Sequence, residues 1–244
     1  MHRPSDALKP LYEARAEQQY ATPAPLPDPR IDRKFAHILE LVREHLPCEA
    51  FLDAGCGDGR YLAALADELP ARRAGLDISE RILETARQRV DADLRQGTLE
   101  TIPFADGEFD LVLCSQVIEH VLAADAAVGE LARVLRPNGT LIISTDNARN
   151  YVTKTINAPR TAAVRALRLR GARGRIESPA TAYTHRAFRE LLERGGFAVD
   201  RVETFRFHLM WPLDVRPLTR ALNAIETHLP RHSFGDIAVA VAHR

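Results

Sequence analysis

Phe51-Leu52-Asp53-Ala54-Gly55-Cys56-Gly57-Asp58-Gly59-Arg60 is the stretch on which the fold of this 244-residue chain turns. An apolar run reaches three glycines at alternate positions, and Tyr61 to Leu69 behind them has the composition of a helix. Glycine accepts positive φ and lets the backbone approach a ligand closely. The free N–H groups of the following helix point at whatever fills the turn. The combination reads as a nucleotide-type cofactor cradle at the carboxyl end of a central parallel strand. Its spacing is G-x-G-x-G behind an acid, not the G-x-G-x-x-G of dinucleotide binders. A carboxylate just ahead of the glycines repels a pyrophosphate and suits an ammonium or a sulfonium.

Outward from the turn, Ala71 to Asp77 ends a second short apolar segment on an acid, about twenty residues past the first glycine, where ribose hydroxyls are expected. Gly97-Thr98-Leu99-Glu100-Thr101-Ile102-Pro103-Phe104 follows, then Phe109 to Val121 with Ser115-Gln116-Val117-Ile118-Glu119-His120 at its end. Leu131 to Ser144 closes the series through Leu135-Arg136-Pro137-Asn138-Gly139-Thr140-Leu141. Strands are predicted at 49–53, 72–77, 92–96, 109–114 and 139–145, with helices at 60–69, 79–90 and 123–135. Continuous apolar strands between amphipathic helices predict a parallel sheet covered on both faces.

In these motifs, and in their order and spacing, the chain resembles the class I S-adenosylmethionine (SAM)-dependent methyltransferases, specifically their small-molecule, type 11-like branch. The resemblance covers Cys48 to Asp146 and, more loosely, Thr184 to the C-terminus. It implies a Rossmann-like α/β fold with seven strands, mostly parallel, an antiparallel hairpin at the C-terminal edge, and helices on both faces. It also implies SAM as the cofactor. By motif match, Asp53 orients the methionine part with Gly55, Cys56 and Gly57, and Asp77 binds the ribose. Ile78 packs on the adenine, Thr98 and Leu99 meet its edge, and Ser115 and Gln116 line the pocket near the methyl. Thr98 stands where the family usually carries Asp. Glu119-His120 resembles the end of a metal-binding Glu-x-x-Glu-His set in quinone O-methyltransferases and small-RNA 2′-O-methyltransferases. Gln116 replaces its first acid, which weakens a site for a hard divalent cation, and no metal is expected.

His120 is the candidate base, following a strand whose carboxyl end faces the methyl; an imidazole suits proton transfer near neutrality. His185 is the second catalytic candidate, and Tyr183 and His208 are candidates for contacting the acceptor. The expected reaction is methyl transfer to a small-molecule or lipid-linked acceptor at a hydroxyl oxygen. N- or C-methylation, an RNA acceptor and a non-enzymatic methyltransferase-like scaffold are the alternatives. A short-chain reductase is set aside: Tyr151 and Lys154 are three apart instead of four, and the glycine spacing disagrees.

The organisation expected is an N-terminal helical cap over 1–46, a cofactor-binding core over 47–146, a basic lid or insertion over 147–183, and a C-terminal part over 184–244 that completes the sheet. Thr184 reads as an N-cap for a helix ending at Gly195-Gly196. Strands are predicted at Phe197 to Phe207 and Gly235 to His243, and helices at Arg160 to Leu169 and Arg216 to His228. The formal net charge is zero, yet residues 1–146 carry 16 basic and 25 acidic side chains and the rest 17 and 8. Arg160, Arg165, Arg168, Arg170, Arg173 and Arg175 form a cluster compatible with a solvated lid, an anionic acceptor or an anionic membrane surface. No aromatic–basic interleaving marks an RNA platform. No apolar run approaches about 20 residues and no apolar leader opens the chain, so a cytoplasmic protein is expected. Three cysteines, an odd number in a chain of this size, do not suggest a disulfide framework. Oligomeric state is not legible.

Overall fold

Every residue of β1 (Ala50–Ala54), the aspartate included, is buried. A strand without a solvent face needs partners on both edges and both faces. Parallel β2 (Arg72–Asp77) lies on one edge, pairing Leu52 with Ala74, and parallel β4 (Phe109–Ser115) on the other, pairing Leu52 with Val112. The computed structural model describes residues 4–19, 22–29, 32–148, 180–205 and 236–244. Within these, β3 (Asp93–Gln96), β5 (Leu135–Asp146), β6 (Ala198–Phe205) and β7 (Ile237–His243) complete a seven-stranded sheet of order β3-β2-β1-β4-β5-β7-β6. β7 runs antiparallel to both β5 and β6. It sits inside the sheet, leaving β6 on the edge.

The sequence of β7 explains its placement. Ile237, Val239 and Val241 alternate with Ala238, Ala240 and Ala242, and all six are buried. The large side chains enter one core with Phe35, Ile38 and Val42 of α2 (Arg33–Arg43) and Leu62 of α3 (Arg60–Ala64). The alanines enter the other, with Val128 and Leu131 of α5 (Ala124–Val134) and Phe188 and Leu192 of α6 (His185–Arg194). A strand apolar on both faces belongs between two others. Helices therefore cover both faces, as expected.

Local signals hold where they are strong. Thr184 Oγ1 accepts the Ala187 N–H at 3.2 Å, capping α6, and Gly196 ends the helix region at φ +91°. Ser79 Oγ likewise accepts from Ile82 N at 3.3 Å to start α4 (Glu80–Arg87). Two predicted elements differ in extent. The helix after the glycines is α-helical only to Ala64 and continues as turns to Glu68; Pro70 bars helical φ/ψ at Leu69 and so closes the segment. The predicted 139–145 strand begins earlier, at Leu135; Leu135 pairs with Phe109, and the ladder resumes only at Leu111 with Thr140. Asn138, at φ +64°, lets the intervening residues bulge, and its N–H donates to the Arg244 carbonyl.

The N-terminal cap holds a short 3-10 turn (Pro4–Leu8), α1 (Lys9–Gln19) and α2. Glu13 anchors α1: it accepts from Ser79 Oγ at 3.0 Å and from Glu80 N at 2.9 Å, at the N-terminus of α4. A carboxylate there satisfies orphan N–H groups and complements the helix dipole. Among the described residues no helix is long and apolar enough to cross a membrane. The predicted helices at 160–169 and 216–228, the arginine cluster and His208 lie outside the described residues.

Candidate cofactor and active site

The strand order reverses direction between β1 and β4, and the carboxyl ends of β1, β2 and β4 meet at that switch. Open α/β sheets bind their ligands at such points. The glycine turn leaves β1 here. Gly55 N and Cys56 N both donate to the Leu76 carbonyl, at 2.7 and 2.8 Å, and Gly57 N donates to Asp77 Oδ2 at 3.1 Å. Two glycines are required for different reasons. At Gly55, φ is +91° and a Cβ would lie 2.2 Å from Val117 Cγ2. At Gly57, φ is +54° and a Cβ would meet nothing within 4 Å, because the position opens onto a cavity.

That cavity encloses about 870 Å³, its open mouth included. Gly55, Gly57, Asp77, Ile78, Thr98 and Leu99 form its floor and one wall, Gln116, Val117 and His120 another, and Ser5, Leu8, Tyr12 and Arg15 of the cap lie across it. Side-chain polar atoms that are buried yet without a hydrogen-bond partner among the described residues concentrate around it. Arg15 Nε, Thr98 Oγ1, Glu100 Oε2 and Gln116 Nε2 belong to lining residues, and Asp53 Oδ2 sits just ahead of the turn. Native interiors leave few such groups unpaired, so this concentration fits a polar ligand that completes them. A nucleoside bearing an amino-acid tail has the matching inventory: ribose hydroxyls for Asp77, base nitrogens for the Thr98-Leu99 wall, and cationic centres for Asp53.

Burial pushes the Asp53 carboxyl up to about 8, and the nearby charge of Asp77 adds to the shift. Burial also raises Asp77, to about 6, against the N–H groups of Ser79 and Gly57 that favour its carboxylate. Asp77 keeps part of its surface open to the cavity, and both its oxygens already accept backbone N–H groups, Ser79 N to Oδ1 at 2.9 Å. Each retains a second lone pair for a hydroxyl. Burial raises Glu119, beside His120, to about 8.

Of the residues expected at the site, eight line the cavity: Gly55, Gly57, Asp77, Ile78, Thr98, Leu99, Gln116 and His120. Gln116 adopts φ +61°, with its N–H donated to the Ser144 carbonyl at 3.1 Å. His120 stands edge-on to Tyr12, ring centroids 6.4 Å apart. The Cys56 side chain packs in the core behind the turn. Ser115, expected in the lining, is not among the described lining residues; its Oγ lies 3.3 Å from Tyr61 Oη and 3.2 Å from Ser144 Oγ. Tyr183 and His185 are not among the described lining residues; Tyr183 N donates to the Asp146 carbonyl, and its ring sits 6.1 Å from that of Phe188. Ser5, Leu8 and Arg15 escaped the sequence reading, since a short, polar α1 shows no strong apolar period. Their spacing, at positions 5, 8, 12 and 15, is the only signal that marks one helical face.

Residues 52–143 match the family described as "Methyltransferase domain". A malonyl-[acyl-carrier protein] O-methyltransferase of Serratia marcescens is 38% identical over 100 residues, 41% of this chain and 39% of that protein. A ubiquinone biosynthesis O-methyltransferase of Thiobacillus denitrificans is 32% identical over 124 residues, 48% of this chain and 53% of that protein. The chain thus spans between 39% and 53% of the length of these two curated relatives. The crystal structure of an S-adenosylmethionine dependent methyltransferase from Mesorhizobium loti shares the fold with TM-score 0.59 at 19% identity, covering 84% of this chain and 96% of that one. Residues 52–143 thus carry a methyltransferase domain, on the glycine turn and the 3-2-1-4-5-7-6 sheet of a class I fold.

Proposed function

We propose that this protein methylates a hydroxyl oxygen of a small-molecule or lipid-linked acceptor, using SAM and with His120 as the base. The observation that carries the reading is the shared cavity: His120 lines the same space as Gly55, Gly57 and Asp77. Bound SAM supplies a methyl group already activated on a sulfonium. The chain's own task is then alignment, water exclusion and removal of one proton. Asp53 and the turn backbone hold the cationic tail, Asp77 the ribose, and Ile78, Thr98 and Leu99 the base. His120 would take the hydroxyl proton of the acceptor as the methyl group is transferred. Ser5, Leu8 and Tyr12 roof the cavity and keep water out. Oxygen as the acceptor atom is further supported by the names of the Serratia and Thiobacillus relatives, both O-methyltransferases.

The test is transfer of an isotope-labelled methyl group from SAM into aqueous and lipid extracts, followed by identification of the labelled product. His120→Gln should lower the rate by about 10²–10⁴-fold while S-adenosylhomocysteine still binds. Full turnover in that variant removes His120 as the base. A label found on nitrogen or carbon overturns the hydroxyl assignment, and a wild type that does not bind the cofactor overturns the reading as a whole.

A further inference from the structure

Resting on the reading of the cavity as a cofactor site, we propose that Asp58 and Arg89 are its positioning pair: they hold the second half of the glycine turn, Gly57 to Gly59, in the shape that receives SAM. The first half of the turn is fixed by β2, through the Leu76 carbonyl and Asp77. The second half has left β2. It passes through φ +54° at Gly57 and +74° at Gly59. Glycine enters and leaves such conformations freely, so contacts must impose them. Gly59 N donates to the Cys56 carbonyl at 3.0 Å, and a Cβ on Gly59 would come within 3.3 Å of Ala86 in α4. A further hold is the Asp58 carboxylate, which accepts from Arg60 Nε at 2.9 Å and from Arg89 Nη2 at 3.1 Å.

Both partners are withdrawn from water: the Asp58 side chain is 2% exposed and that of Arg89 9%. An exposed ion pair contributes little. Removing one partner of a buried pair leaves an uncompensated charge, which forces its surroundings to rearrange. Arg89 is itself fixed. It directly follows α4, its N–H donating to the Ala86 carbonyl at 2.9 Å, and the Nη2 that meets Asp58 also donates to the Ala24 carbonyl. Ala24 lies among Pro23, Pro25, Pro27 and Pro29, which have no N–H and build no helix or ladder. The carbonyls of such a stretch need donors from elsewhere. Arg89 thus ties the turn to α4 and to the segment between α1 and α2. Gly57, which opens on the cavity, is held between Asp77 on one side and Asp58 on the other.

Calorimetric titration with SAM separates shape from charge and from stability. SAM is cationic overall at neutral pH. Acting through space alone, loss of the Asp58 charge would weaken SAM and loss of the Arg89 charge would strengthen it. A positioning pair predicts the same sign for both: Asp58→Asn and Arg89→Met should each weaken SAM by about tenfold or more. The double variant should bind no more weakly than Asp58→Asn alone, since one link is broken in either case. Circular dichroism fixes a temperature at which every variant is folded, where a loss of global stability leaves affinity unmoved. Unchanged affinity in the folded variants overturns the proposal, as do shifts of opposite sign or losses that multiply in the double variant. If Arg89→Met does not fold, Asp58→Asn, which keeps the shape of the side chain, decides: wild-type affinity there overturns the proposal. A wild type that does not bind SAM is a different failure, that of the methyltransferase reading itself.

Discussion

Gly55→Ala tests the glycine turn most sharply, because two separable costs meet at one atom. The first is conformational: Gly55 has φ +91°, and a left-handed backbone costs an L-residue about 1–2 kcal/mol. The second is steric. The new methyl would lie 2.2 Å from Val117 Cγ2, 3.0 Å from Cγ1 and 3.1 Å from Cβ. Val117 is β-branched and stiff at χ1, and overpacking of this kind costs about 1–3 kcal/mol. The sum is about 2–5 kcal/mol, a large part of the roughly 5–15 kcal/mol that holds an ordinary domain together. Val117→Ala removes both branches and leaves only the 3.1 Å contact. Urea unfolding of the wild type, both single variants and the double variant forms a thermodynamic cycle. The double variant should be more stable than the sum of the singles by about 1–3 kcal/mol, with the backbone share unrecovered. Additive singles, together with a Gly55→Ala cost below about 0.5 kcal/mol, would refute the geometry of the turn.

Proton uptake tests the electrostatics. With its carboxyl raised to about 8, Asp53 holds a proton at pH 7 in the free protein. A cation placed beside it favours the carboxylate, so cofactor binding at pH 7 should release a proton, and affinity should rise towards pH 8 by up to about tenfold per unit. Calorimetry in buffers of different ionisation enthalpy reads that proton directly; Asp53→Asn should abolish it, and no release in the wild type would sink the assignment. Arg133 donates to both Glu130 oxygens, at 2.7 and 2.9 Å, and to the carbonyls of Ile102 and Phe104 at 2.9 and 3.0 Å, tying the segment after Leu99 to α5. Arg133→Ala should cost about 1–3 kcal/mol in urea unfolding. Arg133→Lys should not restore it, since an ammonium cannot reproduce the planar fork; full rescue by lysine would show that charge alone matters there.

Signals carried within a few residues were legible in the chain itself. The glycines behind Asp53, the acid ending β2, the Thr184 cap and the two-faced alternation of β7 each follow from φ requirements, capping or strand period, which are local properties. Where a side chain points once the chain leaves a regular element is a different matter, and there only the folded structure decides. Cys56 lies in the glycine turn yet faces the core, whereas Gly57 beside it opens on the cavity. Val117 makes Gly55 obligatory across more than sixty positions of chain. The roof over the site is also a long-range product. Glu13 reaches Ser79 and Ser5 reaches Glu100, and Ser5, Leu8, Tyr12 and Arg15 come to lie across the cavity. A short polar helix holds no period strong enough to announce which face it will present; its orientation is set by what it docks against, and that is absent until the sheet has formed.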